Sequence, residues 1–192
     1  MRTALIQDKI PYPLQKISGM NWFGQQVELM LSLIHIYLQP THVLALQNMV
    51  KLYQFQGHLD EAENLLEKAI AIDPSNGELH QGLAMLLVER KDLPRARQEF
   101  DQAVQLQPRS VEALNGLGVV LMQMGDASEA MRRFEQCRRL APSYDRPYLN
   151  MAVLYISAGK PEKAHEILSE YLVSQPDNPD IRQALQEVDS GK

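Results

Sequence analysis

The sequence predicts an all-α fold, a solenoid of antiparallel helix pairs that ends in a capping helix. One observation behind this prediction is a ladder of prolines with a constant step of 34 residues, at Pro40, Pro74, Pro108, Pro142 and Pro176. Another is a ladder of alanines with the same step, each twelve residues before a proline, at Ala62, Ala96, Ala130 and Ala164. The third is an apolar pattern of helical rather than strand period. A fixed period of this length is typical of stacked repeat proteins.

Each 34-residue frame begins with a predicted first helix. The frames are 43–76, 77–110, 111–144 and 145–178. Large apolar residues recur four positions apart in each frame, as Met49 and Tyr53, Leu83 and Leu87, Leu117 and Leu121, and Met151 and Tyr155. The residue after the first of each pair is Val50, Ala84, Gly118 or Ala152. This spacing gives an amphipathic helix, and the smaller residues permit close approach of a neighbouring helix.

A tight turn is predicted to separate the two helices of each frame. Glycine can take the left-handed conformation that closes a helix, and it stands at this place as Gly57, Gly125 and Gly159, with Lys91 in the second frame. We expect Asp60 and Ser128 to cap the second helix through their side-chain oxygens. Pro94 and Pro161 suit its first turn, where a missing N–H costs nothing.

The second helix of each frame carries an apolar stripe of three positions. The residues are Ala62, Leu66 and Ala69, then Ala96, Phe100 and Ala103, then Ala130, Phe134 and Cys137, and finally Ala164, Leu168 and Tyr171. After Pro176 comes one more predicted helix within the segment 179–192. It begins near Asn178 or Asp180 and is apolar on one side only, at Ile181, Ala184, Leu185 and Val188. A terminal helix with a polar outer side suits the end of a stacked array, so we interpret it as the cap.

The N-terminal segment 1–36 departs from the repeat pattern. The proline ladder implies an earlier second helix over roughly 26–39, with 37–42 as the remnant of that repeat, but Glu28, Ser32 and His35 occupy its core positions. One explanation is a degenerate repeat that covers the end of the stack. The other is that an unrelated fragment and an adapter are joined to a truncated repeat protein, because LSLIHI can be encoded by a sequence that resembles the transposase end used in preparing sequencing libraries. In that case Trp22 and Phe23 have no functional role.

The repeat pattern resembles that of the tetratricopeptide repeat family. The resemblance rests on the 34-residue period, the small-residue positions and the terminal prolines, as in IDPSN and LAPSY, over about residues 43–178. The aromatic residue that the family prefers early in the first helix is replaced by Leu46, His80 and Leu114, with Tyr148 the nearest match. The resemblance implies a right-handed superhelix whose stacked first helices form a concave, partner-binding surface.

Composition and charge exclude several function classes. The 192 residues carry 19 Lys and Arg against 24 Asp and Glu, so the formal net charge of -5 does not attract nucleic acid or an anionic membrane. The single cysteine, Cys137, excludes an internal disulfide and a CxxC zinc site. The most apolar stretch, 27–38, is too short for a membrane span, and the N-terminal residues lack a secretory signal. We therefore expect no nucleic acid partner, no membrane insertion and a cytoplasmic location.

No catalytic or cofactor-binding constellation is evident in the sequence. The five histidines show no metal-ligand spacing, so no metal and no cofactor is expected. His80 and Cys137 occupy repeat-core positions, which favours packing roles over a ligand or a reactive thiol. The run RRFEQCRR supplies four arginines that suit phosphate or an acidic partner. A solvated outer face is favoured for this run, because Glu129 and Glu135 are interleaved with the arginines.

The remaining candidate site is the concave groove that the resemblance implies. Its predicted peptide-binding residues are Asn48, Lys51, Gln81, Met85, Val88, Asn115, Val119, Met122, Asn150, Val153 and Ile156. The asparagines suit the backbone of an extended segment, and the apolar residues suit its side chains. A clamp for a C-terminal carboxylate is not predicted, because Lys51 and Arg146 are the only groove cations. The alternative is that this stripe packs between neighbouring first helices and binds nothing.

Two function classes follow from this interpretation. The leading one is a non-catalytic interaction module, a scaffold or adaptor that binds an apolar or amphipathic peptide or partner helix in the groove. The alternative is the substrate-docking section of a larger enzyme, such as a glycosyltransferase. The sequence does not indicate an oligomeric state.

Overall fold

The structure, a computed structural model, describes residues 43–190 as consecutive helices without a strand. Four helix pairs precede a final helix in this range. The first helices are α1 (Val43–Phe55), α3 (Gly77–Glu89), α5 (Val111–Gln123) and α7 (Arg146–Ser157). The second helices are α2 (Leu59–Ile72), α4 (Leu93–Leu106), α6 (Ala127–Leu140) and α8 (Pro161–Ser174), and α9 (Pro179–Ser190) follows. The hypotheses about residues 1–36 and 37–42, with Trp22 and Phe23, lie outside the described residues.

Consecutive helices pack against each other, and successive first helices also lie side by side. Each pair therefore contacts chiefly the pairs before and after it, which confirms the predicted all-α solenoid. The alanines of the ladder are fully buried in this packing, at 0% exposure for Ala62, Ala96, Ala130 and Ala164.

The turn inside each pair is closed by a residue in the left-handed conformation, as predicted. The φ values are 75° at Gly57, 85° at Gly125 and 68° at Gly159, and Lys91 adopts 62° at the same place. The amide after this residue donates back across the helix end, for example from Asp126 to the Leu121 carbonyl at 2.9 Å. This hydrogen bond is the Schellman closure that glycine favours, and Lys91 adopts it against its own steric preference.

The predicted caps of the second helices are wrong by two residues. Asp60 and Ser128 lie inside the first turns of α2 and α6. The capping side chain of α6 is Asp126, which accepts from the Glu129 amide at 3.1 Å, and Asp92 accepts from the Arg95 amide at 3.3 Å in α4. The physical reason is that the left-handed residue is followed at once by the cap, so the turn is shorter than expected. Pro94 and Pro161 do lie in first turns, as predicted.

Two phenylalanines pack directly on glycines of first helices. A Cβ on Gly116 would lie 2.4 Å from the Phe100 ring of the preceding pair, and a Cβ on Gly118 would lie 2.4 Å from the Phe134 ring of its own pair. A Cβ on Gly82, in contrast, would meet the Leu66 side chain at an ordinary 3.4 Å. The prediction that a small residue lets helices approach is thus correct at Gly118, and the structure shows the same role for Gly116; at both glycines an aromatic ring occupies the space of a side chain.

In the connections between pairs, the backbone carbonyl of the proline needs a hydrogen-bond donor. Tyr148 Oη donates to the Pro142 carbonyl at 3.1 Å, and a ring nitrogen of His80 lies 3.1 Å from the Pro74 carbonyl. Both donors come from the same position of their frames, six residues after the proline. The other ring nitrogen of His80 lies 2.7 Å from a Glu99 carboxylate oxygen, and the residue is only 8% exposed. His80 is therefore buried, as its predicted packing role requires, and its ring lies between the Pro74 carbonyl and the Glu99 carboxylate.

The last helix has the two-sided character predicted for a cap. The Asn178 side chain accepts from the Ile181 amide at 2.9 Å and so starts α9. Ile181 is fully buried, while Ala184, Leu185 and Val188 pack on the core. The other side of α9 is exposed and polar, at Arg182, Gln183, Gln186, Glu187 and Asp189.

Candidate functional site

The exposed side of the first helices forms a continuous surface, here called the first-helix face. Residues three or four apart share one side of a helix, and residues 34 apart occupy matching places on neighbouring helices. The first-helix face therefore contains rows of matching residues that cross the array. One row is Lys51, Met85, Val119 and Val153, and the next is Gln54, Val88, Met122 and Ile156.

Apolar side chains on this face are accessible to a partner. Met85 is 58% exposed, Val153 is 50% exposed and Ile156 is 45% exposed. Val88, Val119 and Met122 are partly buried and pack against the core between them. The sequence left open whether this stripe is a binding surface or interhelical packing. In the structure some of its members are exposed and others pack against the core.

The amides of the first-helix face bond to one another across neighbouring helices. Asn150 donates to the side-chain oxygen of Asn115 at 3.1 Å, and Asn115 is only 8% exposed. Gln54 donates to Glu89 at 2.5 Å. Both pairs are 35 residues apart, one frame plus one residue, which brings side chains of adjacent first helices together. The predicted role of these asparagines is to bind a ligand, but their spacing of 35 residues, which is visible in the sequence, indicates contacts between the amides themselves.

The other predicted groove residues differ in their surroundings. Gln81 accepts from the Ser110 hydroxyl at 3.3 Å, which holds its amide at the entry to α5. Lys51 is exposed on α1, and Asn48 beside it is partly buried. The face also includes Phe55, which is 78% exposed at the end of α1. Phe55 extends the accessible apolar surface toward the N-terminal end of the array.

The opposite surface, formed by the second helices, is dominated by ion pairs. Arg95 contacts Glu63 at 2.6 Å and Glu67 at 2.9 Å. Arg138 contacts Glu170 of the next pair at 2.7 Å and Glu135 at 3.1 Å. Most of these residues are partly or fully exposed, so each pair contributes little stability on its own, but the bonds link second helices of successive pairs.

The arginine-rich run of α6 lies on this outer surface, as predicted. Arg132 and Arg133 both pair with Glu129. A shallow depression follows α6 and is lined by Glu129, Met131, Arg132, Arg133, Glu135, Gln136 and Arg139. The interleaved carboxylates compensate much of its positive charge, so the depression is a weaker candidate for an anionic partner than the run alone suggests.

The described part of the chain offers no geometry for metal or thiol chemistry. Between residues 43 and 190 no group of three or more His, Cys, Asp or Glu side chains could hold a metal ion. Cys137 is fully buried and its Sγ lies 3.3 Å from the Val111 carbonyl. Burial, with the nearby Glu112 carboxylate as a second cause, raises the pKa of the Cys137 thiol to about 12. The predicted packing role of this thiol agrees with that environment.

No helix in the described range is long and apolar enough to cross a membrane.

Comparison with known proteins identifies the repeat. A family model described as tetratricopeptide repeat matches residues 56–118, 89–136 and 121–188, and a second one with the same description matches 43–68. No curated protein matches the sequence significantly.

Three solved structures show the same fold. The crystal structure of YrrB, a TPR protein with an unusual peptide-binding site, has a TM-score of 0.65 and 25% identity over 84% of each chain. MamA from Desulfovibrio magneticus RS-1 has a TM-score of 0.64 and 21% identity over 77% of this chain and 84% of its own. PilF of Pseudomonas aeruginosa has a TM-score of 0.66 and 21% identity over 86% and 69%. With the family models covering most of its helices, this chain belongs to the tetratricopeptide repeat family.

Proposed function

We propose that the protein is a non-catalytic interaction module that binds a peptide or partner helix along the first-helix face. The observation that carries this proposal is the exposure of Met85, Val153 and Ile156, which are 58%, 50% and 45% exposed. Met85 and Val153 occupy matching places of α3 and α7, and Ile156 lies in the neighbouring row of α7. Contiguous exposed apolar residues on a soluble protein mark interaction surfaces more often than scattered ones do.

The members of the two rows on α3, α5 and α7 are all apolar and are here called the apolar strip. They are Met85, Val88, Val119, Met122, Val153 and Ile156. Val119 and Met122 of α5 lie between the exposed residues of α3 and α7 and are partly buried against the core. A ligand that covered the strip would bury all of these side chains from water. Because methionine is flexible, Met85 and Met122 allow the strip to adapt to ligand side chains of different shape.

The amides and Lys51 supply the polar contacts in this proposal. The bond between Asn150 and Asn115 uses one N–H of Asn150 and one lone pair of Asn115, so both amides keep further hydrogen-bonding capacity. Ligand recognition would use Asn48, Gln81 and Asn150 for backbone groups and the apolar strip for side chains, while the buried Asn115 holds the Asn150 amide in place. The similar structure of YrrB, described as a TPR protein with an unusual peptide-binding site, supports this kind of ligand.

The proposal is tested with peptides selected from a random display library against the full chain. The affinity of the selected peptides is then measured by fluorescence anisotropy for the parent and for Met85→Glu/Val153→Glu. We expect the double variant to bind at least about tenfold more weakly, since two charges then interrupt the apolar strip.

A matched control makes the same change on the second helices. Ile72 and Val173 are also exposed apolar residues, at 58% and 86%, but they lie on α2 and α8. Ile72→Glu/Val173→Glu adds the same charge and is expected to keep the affinity of the parent. If the folded Met85→Glu/Val153→Glu variant binds as tightly as this control, the first-helix face is not the site.

A further inference from the structure

Acidic side chains surround the apolar strip on the first-helix face. Glu78 and Glu112 occupy the same place in the first turns of α3 and α5, 34 residues apart, and both are exposed. Each lies seven residues, or about 10 Å along its helix, before the strip residue Met85 or Val119. Two carboxylates therefore stand in a row beside the apolar row.

The remaining charges of this face are also mostly negative. Glu89 is exposed at the end of α3, and its partner Gln54 is a neutral amide that leaves the carboxylate charge uncompensated. Beyond this face, the places of α9 that match Arg146 and Val153 hold Asp180 and Glu187, both exposed. At these positions the first-helix face therefore carries three carboxylates and two cations, Lys51 and Arg146, and α9 adds two more carboxylates.

Arginines compensate several carboxylates of the second helices, although Glu162 and Glu166 of α8 form no ion pair with any residue between 43 and 190. On the second helices, Glu63, Glu67, Glu129 and Glu170 each pair with an arginine. Glu78 and Glu112 form no ion pair with any residue between 43 and 190. The first-helix face thus combines accessible apolar side chains with carboxylates that form no ion pair within residues 43–190.

From this combination we infer that the occupant of the first-helix face is a basic amphipathic segment of a partner protein, with apolar side chains on one side and Lys or Arg on the other. The inference rests on the proposed function and adds the charge of the ligand to it. Its apolar side chains would cover the strip, and its cations would lie over the row formed by Glu78 and Glu112. Complementary charge at the rim of an interface governs partner choice and the rate of association.

Three labelled peptides of defined composition test the inference on the full chain. The first is an amphipathic helix of leucine and lysine. The second has the same leucines with glutamate for lysine, and the third keeps the lysines but has serine for leucine. Affinity is measured by fluorescence anisotropy at about 50 mM and about 300 mM salt, since screening weakens contacts between exposed charges. We expect the leucine and lysine peptide to bind at least about tenfold more tightly than either of the others at the lower salt concentration.

Isosteric substitutions locate the charge effect. Glu78→Gln/Glu112→Gln is expected to weaken binding of the leucine and lysine peptide by about three- to tenfold at low salt and to reduce its salt dependence. Glu162→Gln/Glu166→Gln makes the same change in net charge at exposed positions of α8 and serves as the control. Equal effects of the two double variants would overturn the inference, because the attraction would then come from net charge alone.

The possible failures can be distinguished. If the glutamate peptide binds as well as or better than the lysine peptide, and Met85→Glu/Val153→Glu abolishes that binding, the inference is wrong and the proposed function stands. If the glutamate peptide instead loses affinity in Arg132→Gln/Arg139→Gln, the working surface is the outer face of α6 and both proposals are wrong. If neither leucine peptide binds, the inference is wrong, and the library-selected peptides with Met85→Glu/Val153→Glu decide the proposed function separately.

Discussion

The buried position of Cys137 in the repeat core determines the pKa of its thiol. Its folded pKa of about 12 lies above the value of about 8.5 for a thiol in an unfolded chain. The neutral thiol therefore contributes stability that is fully present below about pH 8.5 and is lost as the pH rises toward 12. We expect a thiol reagent at about pH 8 to leave Cys137 unmodified until the protein is unfolded in urea.

A second variant separates this effect from other alkaline titrations. Cys137→Ala restores the residue found at this place in the first two frames, Ala69 and Ala103. Tyr53, Tyr144 and Tyr148 also have pKa values raised by burial, and they are common to both proteins. Between about pH 8.5 and 10.5 the urea midpoint of the parent should fall more steeply than that of Cys137→Ala. Parallel curves would mean that the thiol is not the group responsible.

Lys91 adopts the left-handed conformation at a place where the other three frames have glycine. Its φ of 62° compares with 75°, 85° and 68° at the matching glycines. Lys91→Gly removes the contact between Cβ and backbone and should stabilise the protein by about 1 kcal/mol in urea unfolding. The reciprocal change, Gly125→Ala, is expected to destabilise by a similar amount, since a Cβ there meets nothing within 4 Å and only the backbone conformation is penalised. A loss of stability in Lys91→Gly would contradict this account.

At the scale of single helices, the fit between rings and glycines decides which substitutions the first helices accept. Gly82→Ala should be neutral or stabilise by up to about 1 kcal/mol, because alanine favours the helix and the new Cβ has room beside Leu66. Gly116→Ala should destabilise by about 1–3 kcal/mol, because its Cβ would overlap the Phe100 ring. Thermal and urea unfolding of both variants measure the difference.

A double variant identifies the ring as the cause. Leu66 and Leu168 occupy in their frames the place of Phe100, so Phe100→Leu is a substitution that the array already contains. Gly116→Ala/Phe100→Leu should be more stable than the sum of the two single effects predicts. Additive effects would mean that Gly116 is required for a reason other than the ring.

The helices themselves could be predicted because their signals are local and repeated. The prolines, alanines and glycines recur at one step, so four frames report the same structure and an exception such as Lys91 does not obscure it. The caps could not be placed in the same way. Whether Asp126 or Ser128 caps α6 depends on the number of residues between the left-handed Gly125 and the helix. Asp and Ser are both good caps, so residue type alone does not give that number.

The candidate site was harder to predict because the exposure of its side chains depends on the neighbouring helix as well as on their own. Met85 and Asn115 occupy similar sides of adjacent first helices, yet Met85 is 58% exposed and Asn115 is 8% exposed. Asn115 is covered where Asn150 of the next helix bonds to it. Helical periodicity gives the side of the helix on which a residue lies, but the contact between neighbours decides its exposure.

At the scale of the whole molecule, stability should decrease locally rather than throughout the array, because each pair contacts chiefly its neighbours. Ile181 of α9 is fully buried, so Ile181→Asp places a charge in the last interface. Amide hydrogen exchange should show loss of protection in α8 and α9, while α3 to α6 keep theirs. Uniform loss of protection from α1 to α9 would show that the array unfolds as one cooperative unit instead.

The packing of Phe100 on Gly116 also encodes the order of the modules. The second frame carries a ring that needs a glycine at the sixth position of whichever frame follows it, and the third frame supplies it as Gly116. The fourth frame has Asn150 at that position and therefore does not fit directly after the second. The third frame has no such requirement, because Phe134 packs on Gly118 of its own pair. The frames match in length and pattern, yet the packing of Phe100 on Gly116 favours the third frame over the fourth as the neighbour of the second.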